Sequence, residues 1–270
     1  MTEAGAGAPG WRPGGGIVDF HNHVISGVDD GAQDEAETRS ALALLAAEGV
    51  TALIATPHVE LSVATPEAVQ ARLRDIDAGW AALVRIAADS GMRVHRGAEL
   101  RLDVPDPDLS DERLRLAGGR FVLVEFPYFI VPPRSARVLG WLLDQGWQPV
   151  LAHPERYSGV DGDLAAVAEW REAGAYLQVN GGSLLGRYGV AARRLAVGML
   201  ARGWVDYVCS DYHARGGPRV TSYGAWLERH GGPETAMRLL SDNPARLLSG
   251  ELPLPVAPLA PDAGVEADEP

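Results

Sequence analysis

No lysine occurs in the 270 residues, so all 24 basic side chains are arginine. That excludes mechanisms built on a phosphate-loop lysine, a Schiff-base lysine or a lysine general base. Any bound phosphate has to meet arginine, metal or backbone amides. Cysteine is almost as scarce, and the single Cys209 cannot form an internal disulfide. Positive charge is short overall: 36 acidic residues leave a net charge of −12, which works against non-specific binding to nucleic acid or anionic membrane. No apolar run approaches the ~18 residues of a membrane span, and no basic region followed by an apolar stretch marks the N-terminus. The expectation is a cytoplasmic protein with no membrane span and no nucleic-acid partner.

What is present is ordinary globular material, 46% hydrophobic and 22% charged, in a length that suits one large α/β domain. Residues 1–15 are rich in Gly, Ala and Pro, and 251–270 form a Pro-rich acidic tail with no aromatic residue. Both are expected to be disordered, because so little apolar surface cannot offset the entropy of ordering. The folded domain is expected over 16–250, where short β-rich runs alternate with helical patterns. Strand candidates are Ile17–Phe20, Ala52–Thr56, Arg93–Leu100, Phe121–Phe126, Pro149–Ala152, Ala175–Asn180 and Val205–Ser210, about one short of an eight-stranded α/β barrel. Val69, Leu73, Ile76, Trp80, Leu83 and Ile86 recur at helical spacing, behind a Thr65-Pro66-Glu67 start signal.

The informative pattern lies in the polar residues at and just beyond the strand ends: Asp19-Phe20-His21-Asn22-His23 and Asp29-Asp30-Gly31, then Thr56-Pro57-His58, Glu99, Glu125, His153-Pro154-Glu155-Arg156, Asn180, and Ser210-Asp211-Tyr212-His213. In a parallel barrel these strand ends converge on one mouth, where such enzymes keep their chemistry. Imidazole nitrogens mixed with carboxylate oxygens are the ligand set of Zn, Mn or Fe, whereas Mg and Ca sites prefer oxygen alone. The candidate ligands His21, His23, Asp30, His58, Glu99, Glu125, His153, Asp211 and His213 are too many for one ion. They imply a cluster of two or three metals, suited to hydrolysing phosphate esters.

Each group alone has a plainer explanation. His-x-His can be coincidence on a strand, and a single strand-end Glu is more often a turn residue; it is the recurrence after successive strands that points to metal. His95 and His230 lack this context and read as structural. Glu155 reads as orienting Arg156, and Asp19 as holding the ring of His21 or His23. Cys209 to Arg215 also fits Cys-x5-Arg, the nucleophile loop of another phosphatase class. Against it, Asp211 inside that loop would repel both thiolate and phosphate, so Cys209 reads as a buried strand residue.

On Asp19–His23 with Gly27–Ala32, Ala55–His58, His153–Tyr157, Asn180–Gly186 and Ser210–His213, the chain resembles the polymerase and histidinol phosphatase (PHP) superfamily. Within it, the likeness is to the branch of bacterial manganese-dependent protein-tyrosine phosphatases associated with capsule and exopolysaccharide synthesis, and it runs from about Ile17 to Gly250. The resemblance implies a distorted seven-stranded TIM-like barrel with its site at the C-terminal strand ends. It implies three ions, Mn²⁺ with Fe or Zn as alternatives. One would sit on His21, His23, Glu99 and Asp211, a second on Glu99, Glu125 and His153, and a third on Asp30, His58 and His213. It also implies phosphate-binding arginines at Arg156 and at Arg219, with Arg215 the competing choice in the same loop.

The reading is a phosphomonoesterase in which a metal-bridging hydroxide attacks phosphorus in line while the arginines hold the equatorial oxygens. The substrate is phosphotyrosine on a protein, such as a bacterial tyrosine kinase. Tyr128, Phe129, Tyr157 and Tyr212 are candidates to line a slot for the ring, with Tyr157 taken as substrate-binding. The alternatives are a small-molecule phosphatase of the histidinol-phosphatase type and a non-catalytic metal-stabilised binding module.

Overall fold

The computed structural model describes residues 16–61, 66–104 and 106–260. The expected disorder of 1–15 and 261–270, and the cap at Thr65, lie outside the described residues.

The described residues form nine strands: β1 Ile17–Asp19, β2 Val50–Ala55, β3 His58–Glu60, β4 Arg93–Arg96, β5 Glu99–Arg101, β6 Phe121–Glu125, β7 Gln148–Ala152, β8 Tyr176–Asn180 and β9 Tyr207–Cys209. Every pairing between them is parallel, so the connections cross over the sheets, mostly through helices. The helices are α1 Glu35–Ala47, α2 Pro66–Ser90, α3 Ser135–Asp144, α4 Ala165–Glu172, α5 Gly181–Leu184, α6 Gly189–Leu200, α7 Val220–Met237 and α8 Asn243–Leu248. Covered on both faces, the central strands are apolar up to their C-terminal ends: Phe121–Val124 and Pro149–Ala152 are buried, and Glu125, buried too, closes β6. The stripe predicted for the long helix is the one α2 uses, with Leu73, Ile76, Leu83 and Ile86 buried and Val69 and Trp80 partly so.

The single seven-strand ladder expected from the sequence is replaced by two sheets, β1-β2-β4 and β3-β5-β6-β7-β8-β9. Two residues cause the split. Pro57 has no N–H to donate and ends β2, after which the chain restarts as the unforeseen β3. Gly97 divides the candidate strand Arg93–Leu100; a Cβ there would stand 2.9 Å from Ile54 and 3.1 Å from Leu116, so the backbone passes where no side chain fits. Individual backbone bonds bridge the gap, from Gly97 N–H to Ala55 carbonyl (3.0 Å) and from Glu99 N–H to Pro57 carbonyl (3.1 Å). Beyond β1 and β9 the chains meet once more through an isolated Asn22–Tyr212 bridge, with Asp211 N–H on His21 carbonyl and His23 N–H on Tyr212 carbonyl, both 2.9 Å. The ladder stops there because Asp211 is left-handed (φ 49°). That contact sets His21 and His23 beside Asp211 and His213.

The tail departs from expectation over 251–260. Asn243 Nδ2 donates to Leu254 carbonyl (3.0 Å), Leu254 N–H donates to Asn243 Oδ1 (2.8 Å), and Leu259 N–H donates to Leu200 carbonyl (3.1 Å). Val256 and Leu259 are buried. Composition hid this, since the acidic residues that mark the tail fall mostly in 261–270, and two buried apolar anchors with a bonded backbone suffice to hold the Pro-rich strap before them. No helix among the described residues is long and apolar enough to cross a membrane. Leu259→Ala is expected to lower stability by roughly 2–4 kcal/mol in urea unfolding; an unchanged midpoint would mean that the strap contributes nothing.

Candidate metal centre

All nine candidate ligands meet at the C-terminal side of the sheets, in four overlapping groups whose donor atoms lie within 4.8 Å of one another. These are His23, Asp30, His58 and His213; His21, His23 and Asp211; His21, Glu99 and His153; and His58, Glu99 and Glu125. The local chain explains the convergence. His21 and His23 alternate with Asn22, so both rings take one face while the Asn22 amide donates to the carbonyls of Asp19 (3.1 Å) and Ile54 (3.2 Å) on the other. His58 and Glu99 open β3 and β5 in direct register. Glu125 ends β6, and His153 follows β7 in a left-handed conformation (φ 36°). Left-handed backbone at a non-glycine residue costs about 1–2 kcal/mol, and here it recurs at His153 and Asp211, beside the chemistry.

The buried carboxylate of Glu99 is the centre of the arrangement. Its Oε2 lies 3.1 Å from His58 Nδ1, 3.2 Å from His21 Nε2 and 3.4 Å from His23 Nε2, and its Oε1 lies 2.9 Å from His153 Nε2. Asp211 Oδ1 is 3.4 Å from both His21 Nε2 and His23 Nε2. Outer contacts fix which nitrogen faces inward. His21 Nδ1 sits 2.7 Å from Gln178 Oε1 and His23 Nδ1 sits 2.8 Å from Asp29 Oδ2, so each ring donates outward and turns a lone pair toward the carboxylates. Gln178 has its Oε1 on the ring because its Nε2 donates to Asn180 Oδ1 (3.0 Å), and Asn180 Nδ2 donates in turn to Asp211 Oδ2 (2.6 Å).

Lone pairs therefore face lone pairs across about 3 Å. His21 Nε2, His23 Nε2 and Glu99 Oε2 are buried without a hydrogen-bond partner, which is unfavourable unless a cation lies between them. Donor spacings near 3 Å are what two ligands on one first-row ion, each about 2.0–2.2 Å from it, present to each other, so the donor set fits divalent metal. The electrostatics register the same need for positive charge between these groups: burial pushes the His21 imidazole down, but Glu99 and Asp211 outweigh it and hold it up at about 9, so that a proton answers the need where no cation does. Burial works against charged Glu99 and Asp211 as well, yet His21 foremost holds both well below the carboxylate range. Asp29 is kept at about 2, burial being overcome by His23.

A cavity of about 430 Å³ opens over the cluster, with Arg101, Tyr128, Phe129 and Arg156 on its walls. Arg156 Nη1 donates to Asp211 Oδ2 (3.0 Å), and its guanidinium lies between the rings of Phe129 (4.4 Å) and Tyr188 (4.3 Å). Several sequence expectations change here. Tyr157 does not line this cavity: its buried hydroxyl donates to Ala152 carbonyl (2.9 Å) and accepts from Phe126 N–H (3.1 Å), so it locks two strand ends together. Tyr212 is buried likewise. Arg219 and Arg215 border a different cavity, across Ser210, because the 214–219 loop turns away from the cluster through left-handed Ala214, Gly216 and Arg219. Asp19 touches neither ring; its carboxylate accepts from Ser210 N–H (3.0 Å) and Oγ (2.6 Å) and so fixes the residue before Asp211. Glu155 serves Asn180 N–H (2.9 Å) and Ser183 Oγ (2.7 Å) rather than Arg156. Cys209 is buried, and burial pushes its thiol up, which removes the thiolate that a nucleophile needs. His230 packs on Trp226, away from the cluster.

Sequence reasoning missed Gln178, Arg101 and Tyr188. For two of them a signal existed: Gln178 stands two residues before Asn180, and Arg101 two after Glu99, so each shares a strand face with a residue already singled out. Tyr188 lies in a loop and carries no such mark.

The family described as capsular polysaccharide synthesis, CpsB/CapC, matches residues 17–249. The tyrosine-protein phosphatase YwqE of Bacillus subtilis is 28% identical over 201 residues, covering 73% of this chain and 77% of that protein. The tyrosine-protein phosphatase CpsB of Streptococcus pneumoniae is 27% identical over 251 residues, covering 87% of this chain and all of that protein. A crystal structure from work on YwqE and CpsB, described as unique metal-dependent tyrosine phosphatases, superposes with a TM-score of 0.74 at 26% identity, over 90% of this chain and 98% of that one. A lactonase from Listeria monocytogenes shares the fold alone, with a TM-score of 0.50 and 13% identity over 86% of this chain and 94% of that one.

Gln178→Ala removes the acceptor that orients His21, and is expected to weaken Mn²⁺ binding about 10- to 100-fold in a direct titration while the circular dichroism spectrum is kept. Unchanged affinity would take Gln178 out of the metal site.

Proposed function

The chain belongs to the CpsB/CapC family of capsular polysaccharide synthesis, and from that premise we propose that it is a metal-dependent phosphatase that hydrolyses phosphotyrosine on proteins. The observation that carries this is Glu99, a buried carboxylate facing four imidazoles at the floor of a cavity with an arginine on its wall. We assign His21, His23, Glu99 and Asp211 to one ion, Glu99, Glu125 and His153 to a second, and Asp30, His58 and His213 to a third. Glu99 would serve both of the first two ions. Manganese is the proposed metal. Divalent ions held there supply an ionised water at neutral pH and neutralise charge on the phosphoryl group.

The chain's own side chains do the rest. Gln178 and Asp29 fix the ring nitrogens that face inward. Arg156 is held between two rings and bonded to Asp211, so its fork is already in place to meet two phosphoryl oxygens, with little reorganisation when charge builds there. Arg101 is the second guanidinium on the cavity wall, although Glu60 (2.7 Å) and Asp103 (3.3 Å) share its charge. A phenolate, with a pKa of about 10, leaves more readily than an alkoxide, and no general acid is needed on the leaving side. Tyr128, 80% exposed, and Phe129 stand at the rim in successive left-handed conformations, held by the Ile130–Ser158 bridge. A rim of exposed aromatics suits a ring presented on another protein better than a small phosphate ester closed inside, which disfavours the histidinol-phosphatase alternative. The proposed setting is the cytoplasm, and the proposed substrate is a phosphotyrosine protein such as a bacterial tyrosine kinase linked to polysaccharide synthesis. As to fold, we read β2 with β3 and β4 with β5 as two broken staves of a seven-stave PHP barrel.

Chelation is expected to abolish hydrolysis of p-nitrophenyl phosphate, and Mn²⁺ to restore it. Arg156→Ala should lower kcat/KM by roughly 10²- to 10³-fold with metal content unchanged, and Arg156→Lys should rescue little. Cys209→Ser should stay within about threefold of wild type. Arg219→Ala, measured alongside, tests the arginine that the resemblance implies: an unchanged rate leaves Arg156 and Arg101 as the guanidinium partners of phosphate, and a loss like that of Arg156→Ala brings the 214–219 loop over the bound group. Full activity after exhaustive chelation would contradict the proposal.

A further inference from the structure

Behind the wall of the metal cavity lies a second one, of about 370 Å³, bordered by Arg187, Arg215 and Arg219 together with Gly182, Gly186 and Ser210. In a chain with a net charge of −12, this concentration of cations is out of character. Among the described residues, none of the three guanidiniums has a carboxylate partner, whereas Arg101 and Arg156 on the wall of the metal cavity both do. One carboxylate reaches this loop, Glu48, and it is engaged elsewhere: it accepts from the backbone N–H groups of Arg219 (3.1 Å) and Thr221 (2.9 Å) at the start of α7. The helix terminus is thereby satisfied, and the guanidiniums are what the cavity offers an incoming anion.

The position relative to the metal centre gives this cavity a use. The ring of Tyr188 stands 4.3 Å from the Arg156 guanidinium and 5.8 Å from that of Arg187. The two guanidiniums are therefore at most about 10 Å apart, the reach of roughly three residues of extended chain at ~3.3–3.6 Å each. Ser210 borders the second cavity and is chain neighbour to Asp211, which borders the first. A peptide with its phosphotyrosine on Arg156 would bring a side chain two or three positions away to Arg187.

We propose that this second cavity is a substrate subsite for an acidic side chain two or three residues from the phosphotyrosine, with Arg187, beside Tyr188, as the contact and Arg215 and Arg219 as the other guanidiniums that border it. The subsite rests on the phosphatase reading above and deepens it, from phosphotyrosine on proteins to phosphotyrosine in acidic sequence. Exposed ion pairs are individually weak and are screened by salt, so the subsite tunes KM and leaves kcat alone.

The test compares phosphotyrosine peptides carrying Glu or Gln at positions two and three on either side, with p-nitrophenyl phosphate as the substrate that cannot reach the second cavity. Wild type is expected to show a KM about three- to tenfold lower for the Glu peptide on one side. The difference should vanish in Arg187→Glu and at 0.5 M NaCl, with p-nitrophenyl phosphate hydrolysis by the variant unchanged. Equal KM values for Glu and Gln peptides, or a preference that survives Arg187→Glu, overturn the subsite. Fluorescence anisotropy with unphosphorylated Glu and Gln peptides separates the two proposals. If no phosphate ester is hydrolysed the phosphatase reading fails by itself. Preferential, salt-sensitive binding of the Glu peptide, lost in Arg187→Glu, would then still support an acidic-peptide site, and indifferent binding would remove it.

Discussion

The arrangement depends on one buried carboxylate. Glu99 is 1% exposed, faces four imidazoles, and keeps an oxygen that no hydrogen bond satisfies. A carboxylate taken out of water needs hydrogen-bond donors or positive charge close by, and with one oxygen left without a donor, Glu99 depends on the second. Imidazole rings present their inner nitrogens, Asp211 adds a second carboxylate that increases the need for a cation, and Arg156 approaches from the side of the cavity. The groups that hold these residues are themselves bonded onward, from Gln178 to Asn180 to Asp211, so that the ring of His21 and the carboxylate of Asp211 are fixed by one chain of amides. A network left partly satisfied is costly, and this chain of amides leaves neither the outer nitrogen of His21 nor the outer oxygen of Asp211 without a partner.

The fold supplies this geometry through parallel strands that end at one level. Where the ladder is regular it carries apolar residues, and where it fails it carries chemistry. Pro57 breaks β2 immediately before His58, the Gly97–Ala98 break precedes Glu99, and left-handed His153 and Asp211 end the runs after β7 and β9. Strain and irregular pairing at these points are compensated by the buried strands beneath, a division of labour in which rigid elements aim the side chains and their broken ends bear them.

Much of the site was legible because its residues follow strands at a repeated position, a signal that depends on periodicity and on the shared direction of parallel strands. The long helix α2 and the strand cores were legible for the same reason, since burial imposes a period. What periodicity does not encode was missed. Tyr157 looked available on the strength of its place after His153 and Arg156, yet its hydroxyl is bonded at both ends inside the protein. Arg219 looked like a phosphate ligand, but three left-handed residues carry its loop to another cavity. Residues 251–260 looked unable to fold as part of a Pro-rich acidic tail, but composition averages over the whole of 251–270, and Val256 and Leu259 act singly. Tyr188 became meaningful only through the two guanidiniums that flank it in space.

Anomalous diffraction at the manganese edge, from crystals grown with Mn²⁺, tests the central claim most directly. The account predicts anomalous peaks within coordination distance of His21, His23, Glu99, Glu125, His153 and Asp211, with the Glu99 carboxylate touching two of them, and a further peak among Asp30, His58 and His213. Anomalous density confined to surface carboxylates, with His21 and His23 bonded directly to Glu99 and Asp211 through their own protons, would contradict it.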